Sequence, residues 1–445
     1  MRKIIAILLA KLSAVAGRII GKNSSSTPGS IALKICPDII KILSKNITKG
    51  IVVTCGTNGK TTTNNLLNSV LLKCGYTTVC NDLGANMLSG VATAFVLRSD
   101  LLGRRKSDYA VLEIDEAFAR RVFNHLKPDF MVVTNLFRDQ LDRYGEIETT
   151  LALIDEAVSM ADGVKLILNG DDPISSQLGE NRDAHYYGIS QQVLPQTEGT
   201  KEGQFCLKCG AVQSYNYLHY SQLGDFYCTN CGNKRPDIEF SATDVDLSDS
   251  MKFKVNNSKI DVNYRGFYNI YNILAVYSAM SVMGVNTEDF NRILSDYKPQ
   301  VGRMEVINLG KPFILNLAKN PAGFNQAIQT VMLDKRKKDI IIAVNDGETD
   351  GQDVSWLWDA DFEKLSDENL NSLSVSGARV YDLALRFKYS GVNADIALNI
   401  KDAIKKCMET DAEVCYVLVN YTVLFSTQKL MLDMQKEIGG EEDAK

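Results

Sequence analysis

Residues 54–65, TCGTNGKTTTNN, connect a strand-like run, IVVT at 51–54, to a segment in which Leu66, Leu67, Val70 and Leu71 share one helical side before Gly75. A junction of this kind can hold a polyphosphate. Gly56 and Gly59 let backbone N–H groups around Thr57 and Asn58 turn toward an anion, and the helix N-terminus adds partial positive charge. Lys60 can reach the β and γ phosphates, and the Thr61 hydroxyl, followed by Thr62, is placed for Mg2+. The common motif carries a glycine five residues before the second one; here that position is Thr54, so the loop is the shortened form GTNGKTT. The plain alternative, a Gly- and Thr-rich turn, does not account for strand, Lys-Thr and helix coinciding. Phosphate chemistry also needs an anionic metal ligand. Glu113, near the end of the strand-like YAVLEI (109–114), stands where a Walker-B-like carboxylate projects, the bland alternative being a surface carboxylate at a strand end.

A second constellation is cysteine-based. Cys206-Leu-Lys-Cys209 and Cys228-Thr-Asn-Cys231, each followed by glycine, are separated by eighteen residues. Two such turns can close a tetrahedral Zn2+ site of four thiolates, and a fully protein-ligated zinc has no open position for chemistry. A redox pair would need one CxxC at a helix start rather than two matched Gly-ended turns. The expected task is to order an insertion too small for its own core. The other cysteines (Cys36, Cys55, Cys74, Cys80, Cys407 and Cys415) are scattered singly, which fits buried or loop thiols in a reducing cytoplasm.

The elements that must position these groups follow from the pattern. The chain has 445 residues, 45 % hydrophobic, with a net charge of −5, enough for about three domains and poorly suited to coating nucleic acid. From residue 51, short β-rich runs (IVVT, TTVC, YAVLEI, FMVVTNL, KLILNG) alternate with helix-length intervals, the signature of an α/β fold with a parallel sheet. Residues 200–236 interrupt it; MKFKV, KIDVNY and a helix from about 269 to 283 resume it. A second alternating series (PFILNLA, DIIIAVN, SLSVSG, ADIAL, CYVLVNY) follows a boundary near 300. The expected domains are 1–48, an amphipathic helix and linker; 49–300, the nucleotide-binding domain with its cysteine insertion; and 301–445, a smaller α/β domain. The first 22 residues imitate a signal peptide, but Lys11 interrupts the apolar run, and Ile4, Leu8, Leu12, Val15 and Ile19 recur at helical spacing. Such a helix either packs on the next domain or makes a weak membrane-surface contact. SSSTPGS at 24–30 reads as the break after it.

GTNGKTT, the strand with Glu113, TNLFRDQLDRYGE (134–146), LNGDDP (168–173), GFYNIYNILA (266–275) and VGRME (301–305) occur in an order that resembles the ATP-dependent Mur ligases. That resemblance implies ATP and Mg2+ as cofactors, Thr61 and Glu113 as magnesium ligands, Asn269 and Asn272 near the adenine, and Arg303 at a hinge and near the phosphates. It also implies an open resting form that closes to exclude water. Two departures stand out. Gln140 replaces a histidine, which puts a second metal site in doubt, and Asn316-Leu317-Ala318-Lys319-Asn320-Pro321 replaces a DYAHNP-like stretch of the amino-acid pocket. NDGETDGQDVSWLWDADFE (345–363), SGARVYDLALRFKYSGV (376–392) and the cysteine pairs resemble one subgroup, the Mur-ligase-like subunits of lipid II isoglutaminyl synthase.

The subgroup resemblance implies activation of the α-carboxylate of D-glutamate in the lipid II stem peptide as an acyl phosphate, then amidation to D-isoglutamine. Ammonia would come from a class I glutaminase-type partner in a heterodimer, and Asp353 would complete the partner's Cys–His pair. The chain itself offers His125, His185 and His219 and no cysteine in a recognisable nucleophile setting. For Asp353 alone, an Asp bonding its own turn is the simpler reading. Three other functions compete: an amino-acid-adding Mur or folylpolyglutamate-type ligase; a zinc-ribbon P-loop ATPase acting on nucleic acid, which predicts a basic face that this acidic chain does not advertise; and a binding subunit that retains ATP but no catalysis.

Overall fold

The computed structural model describes residues 1–19, 25–81, 85–138, 147–193, 204–248, 250–297, 301–347 and 350–442. Its first sheet contains β1 (Ile47–Cys55), β2 (Thr78–Cys80), β3 (Ser107–Glu113), β4 (Phe130–Val133), β5 (Lys165–Asn169), β6 (Ala184–Ile189), and, after the hairpin β7 (Ser214–Tyr220) and β8 (Leu223–Tyr227), β9 (Phe240–Asp246), β10 (Met251–Val255) and β11 (Ser258–Val262). The order is β11-β10-β9-β6-β5-β4-β1-β3-β2, parallel from β9 to β2, with β10 and β11 antiparallel at one edge. Parallel strands covered on both faces read as unbroken apolar runs rather than alternating ones, which is why FMVV and KLILN were legible. Helices Lys60–Lys73 and Tyr268–Val282 cover one face through Leu66, Val70 and Ile273; the helices of residues 2–44 with Leu88–Arg98 and Ile147–Met160 cover the other.

The second sheet comprises β12 (Glu305–Asn308), β13 (Pro312–Leu317), β14 (Lys338–Ala343), β15 (Leu370–Ser376), β16 (Asp395–Ile396) and β17 (Val414–Val419), in the order β12-β13-β17-β14-β15-β16. Only β12 runs antiparallel to its neighbour. It is again covered on both faces, by helices that include Pro321–Leu333, Val380–Ser390, Ile400–Met408 and Tyr421–Glu442.

Two details at the N-terminus differ from expectation. The helix Arg2–Ile19 buries Ala6, Ile7, Ala10 and Ala14, the small-residue side, the first three in the same core cluster as Val53 and Leu112, while Ile4, Leu8, Leu12, Val15 and Ile19 point outward. Close approach between helices selects the alanine face, and the periodicity of large apolar residues marked the opposite one. SSSTPGS does not act as a break throughout: a helix begins inside it at Thr27, with Pro28 in the first turn, where its missing N–H costs nothing. Gly29 lets this helix touch Leu88–Arg98, since a Cβ there would overlap the Ser89 carbonyl, and its N–H donates to Thr93 Oγ1 at 2.9 Å.

Candidate active site

The loop between β1 and the helix Lys60–Lys73 has the left-handed glycines that a phosphate cradle needs, Gly56 at φ +119° and Gly59 at +85°. Both also sit where a Cβ has no room. At Gly56 it would meet Thr134 Oγ1 and the Asn135 carbonyl; at Gly59 it would meet Asn272 Oδ1. The loop is gripped from the end of β4: Thr57 N–H donates to the Asn135 carbonyl (2.7 Å), Asn58 N–H to Asn135 Oδ1 (2.9 Å), and Thr134 Oγ1 to the Asn58 carbonyl (2.7 Å). The Thr57 hydroxyl donates to the Phe137 carbonyl and accepts from the Phe137 N–H at 3.1 and 3.0 Å. Thr61 and Thr62 occupy the first turn of the helix, Thr61 half-buried and Thr62 buried.

Lys60 is buried, and its Nζ lies 2.8 Å from Glu116 Oε1 and 3.3 Å from the Thr57 carbonyl. Burial alone would lower its pKa; the carboxylates of Glu116, Asp115 and Glu113 overcome that and raise it. Glu113 closes β3 in register with Thr54 of β1, and its Oε1 accepts from Asn86 Nδ2 at 3.2 Å. Three buried carboxylates thus bear on one ammonium at the head of the helix, Glu116 by direct contact and Asp115 and Glu113 through their charge. Asp115 and Glu116 escaped the sequence reading although LEIDE offered the signal: three acids at the end of an apolar strand, too many for a buried strand end without a cationic or metal partner.

Asn272 stands on the helix Tyr268–Val282 facing the loop: its Oδ1 lies 3.4 Å from Thr63 Oγ1, and its Nδ2 donates to Asn269 Oδ1 at 2.9 Å. Asn269 in turn donates to the Arg265 carbonyl at 2.7 Å. Arg303 is half-buried on the segment leading to β12, and its charge acts on Tyr268, next to Asn269, and on Tyr297, whose phenol burial pushes up to about 12 against that pull. The C-terminal domain reaches the loop through Asn320. Its Nδ2 donates to Asn58 Oδ1 at 3.2 Å while its Oδ1 caps the helix Pro321–Leu333 by accepting from Gly323 N–H at 2.8 Å. Arg138 pairs with Asp359 across the same boundary at 3.2 Å. The two domains therefore touch at the phosphate loop in this structure. Gln140 lies outside the described residues.

Asp353 is not part of this cluster. It is exposed in the turn before the helical turn Ser355–Asp359, and its Oδ1 accepts from the Ser355 N–H at 2.8 Å, which holds its carboxyl below the usual carboxylate range.

The four cysteines converge. Their sulfurs lie within 4.8 Å of one another, with Cys206–Cys231 at 3.6 Å and Cys209–Cys228 at 3.5 Å. Zn–S bonds of about 2.3 Å in a tetrahedron require S···S near ~3.8 Å, so the set fits one metal ion. Gly210 and Gly232 take φ of +72° and +74°, turning each knuckle. The insertion is tied to the main sheet by Arg235, whose Nε donates to the fully buried Asp171 at 2.7 Å, and by Gln222, whose Nε2 donates to the Leu136 carbonyl at 2.7 Å.

A shortened phosphate loop on a parallel sheet, facing a second α/β domain across paired asparagines, is a nucleotide-binding arrangement, and its likeness to known families makes it that of an ATP-dependent ligase of the Mur type. Residues 53–280 match the Mur ligase middle domain and residues 317–424 the MurT ligase C-terminal domain. Among solved structures the fold is similar to a pseudomurein peptide ligase type C from Methanothermus fervidus (TM-score 0.70, 23 % identity, 92 % of this chain and 86 % of that one) and to MurF from Acinetobacter baumannii (TM-score 0.67, 16 %, 91 % and 80 %). The chain is 37 % identical to the lipid II isoglutaminyl synthase (glutamine-hydrolyzing) subunit MurT of Staphylococcus aureus, over 95 % of this chain and 96 % of the relative. It is 33 % identical to the subunit of the same name from Streptococcus pneumoniae, over 93 % of each. The chain belongs to the MurT family of Mur ligases. Mur ligases use ATP and Mg2+; the MurT relatives are named as one subunit of a synthase, so a partner subunit is implied.

Proposed function

We propose that this chain uses ATP to activate the α-carboxylate of D-glutamate in the lipid II stem peptide and amidates it to D-isoglutamine with ammonia from a glutaminase subunit. The observation that carries the reading is the near-full-length likeness to MurT subunits, which spans both the phosphate loop and the C-terminal domain. A carboxylate resists nucleophiles because of its charge. Transfer of the γ-phosphoryl group to one carboxylate oxygen releases ADP and leaves an acyl phosphate; ammonia then attacks the acyl carbon, phosphate departs and the nitrogen loses a proton. Lys60 and the loop N–H groups of residues 56–62 would offset charge on the transferring phosphoryl. Thr61 and Glu113, with Glu116 and Asp115 beside them, would hold Mg2+, which when bound neutralises phosphate charge. Asn269 and Asn272 would lie beside the adenine, and Arg303 beside the phosphates. The closure that excludes water would run through the Asn58–Asn320 contact.

The cysteine site would hold structural Zn2+. A partner subunit is supported by an exposed face on the C-terminal domain: Tyr381, Leu385 and Tyr389 recur every four residues on the helix Val380–Ser390, and Trp358 packs edge-on against Tyr389 with ring centroids 5.6 Å apart. Exposed aromatics of this kind favour protein partners. Asp353 lies five residues before Trp358, where it would orient the partner's histidine. We place the complex in the cytoplasm, at the inner face of the membrane that carries a lipid-linked substrate. The test combines this chain, the glutaminase, ATP, Mg2+, glutamine and lipid II and follows acid-to-amide conversion in the stem peptide by mass spectrometry. Conversion is expected; no conversion with an active glutaminase present would refute the reading.

A further inference from the structure

The helix Arg2–Ile19 is apolar on two sides, and only one of them is covered. Ala6, Ile7, Ala10 and Ala14 are packed into the central domain. On the opposite side Ile4, Leu8, Leu12, Val15 and Ile19, widened by Ile5 and Leu9, are between 41 and 80 % exposed. At 100° per residue these side chains occupy one continuous arc, with Lys11 and Arg18 at one margin and Arg2 at the other. Single exposed leucines need no explanation, whereas an unbroken stripe of this length does.

A second segment extends the surface. The loop after the helix Leu88–Arg98 exposes Leu101 and Leu102 and then Arg104, Arg105 and Lys106. Gly103 presses this loop against the start of the helix, since a Cβ there would stand 3.0 Å from Ile7 Cδ1 and 3.2 Å from Lys3 Cδ. Lys11 donates to the Leu97 carbonyl at 3.0 Å and feels the charge of Arg105, so helix and loop form one patch. Asp100, also in the loop, accepts from the Arg104 N–H at 2.8 Å. No acidic residue precedes Asp38, while six lysines or arginines do, in a chain whose net charge is −5.

We infer that this patch seats the protein on an anionic phospholipid surface, with the aliphatic stripe entering the interface and the flanking cations meeting lipid phosphates. Its chemistry separates it from a protein-docking face. The stripe is wholly aliphatic, without the Tyr, Trp or buried Arg that anchor protein interfaces and that the C-terminal face does carry. Aliphatic residues bordered by Lys and Arg, on a helix lying flat, are what an interfacial helix presents. Among the described residues no helix is long and apolar enough to cross a membrane, so the contact lies in the plane of the surface. The inference rests on the amidation reading only for which membrane face is met.

The test is flotation of the full chain, alone and with the glutaminase, on vesicles of equimolar phosphatidylglycerol and phosphatidylcholine and on vesicles of phosphatidylcholine alone. Binding is expected on the first, weakened by salt, and about tenfold less on the second. Leu8→Glu with Leu12→Glu is expected to lower binding about tenfold or more while leaving the thermal midpoint unchanged, because both side chains are already in solvent. Equal flotation of native chain and variant, or none on the anionic vesicles, overturns the inference. So does a native dimer that the double variant dissolves, which would assign the stripe to a second copy. Amidation of a water-soluble stem-peptide substrate by the same variant is expected to match the native chain, so a failure of the amidation reading would show there and leave the vesicle result standing.

Discussion

Replacing Lys60 with methionine keeps an unbranched, largely apolar side chain and removes the ammonium paired with Glu116 at 2.8 Å. The two side chains are only 10 and 7 % exposed, so water cannot take the ammonium's place without opening the loop. Removing one partner of a buried pair costs about 3–5 kcal/mol. Asp115 and Glu113, whose charges also bear on Lys60, lose that attraction as well. In a domain of this size 1 kcal/mol moves the melting point by roughly 2–4 °C, so the variant should melt on the order of 10 °C lower near neutral pH.

The deficit should depend on pH, with a definite sign. Burial already raises the Glu116 pKa above its ordinary 4.5, against the pull of Lys60. A carboxyl whose folded pKa exceeds its unfolded one contributes stability that is complete below the unfolded value and is lost as pH rises through the folded value. Without Lys60 the folded pKa climbs further. The gap between native and variant melting points should therefore be smallest near 4.5 and widen toward pH 8, as differential scanning calorimetry across that range would show. A gap that stays constant with pH, or a loss below about 1 kcal/mol, would refute the claim that Lys60 neutralises a buried acidic cluster. The same variant should lose ligase activity, read as the absence of ADP release.

Three further outcomes follow from the geometry. Cys209→Ser should release the metal, measured as zinc per chain by atomic emission, and make the insertion sensitive to protease; an unchanged metal content would remove the four-thiolate site. Asn320→Ala loses both the helix cap and the bond to Asn58, so a stability loss of about 1 kcal/mol in denaturant titration should accompany slower ligation, and normal ligation would argue against closure through that contact. Asp353→Asn should reduce glutamine-driven amidation and spare amidation fed by free ammonium. Because the Ser355 N–H holds the Asp353 carboxyl low, it is ionised throughout the neutral range, and the effect should be flat between pH 6 and 8.

What was legible in the sequence had a local cause. Unbroken apolar runs marked parallel strands because both faces of each sheet are covered, and the glycine-rich turn before Lys60 and the two glycine-ended knuckles marked backbone that must adopt positive φ. Glu113 was visible because it ends a strand; Glu116, which holds Lys60, lies three residues beyond it in a turn, where exposure is the default expectation for an acid. Asn320 and Thr134 lay inside recognised motifs, but their contacts with the phosphate loop could not be read from them. Their roles arise from contacts with Asn58 that span 262 and 76 residues, and an amide or hydroxyl carries no periodic signature.

The N-terminal helix shows the limit of periodicity most directly. A stripe of large apolar residues at helical spacing is ordinarily the buried face, because burying it removes the most surface from water. Here the buried face is built from alanines and Ile7, which let the helix lie close against its neighbours, and the larger stripe is left outside. A sequence under pressure only to fold would place its leucines inward or replace the outward ones with polar residues. Retaining seven aliphatic side chains outward on one helix, beside an exposed Leu101-Leu102 and a border of lysines and arginines, makes sense only if that face is covered in use. A stripe of aliphatic residues on a helix thus calls for an apolar environment without saying whether protein or lipid supplies it; the packing of the opposite face shows only that this chain does not, and the wholly aliphatic make-up with its border of lysines and arginines favours lipid.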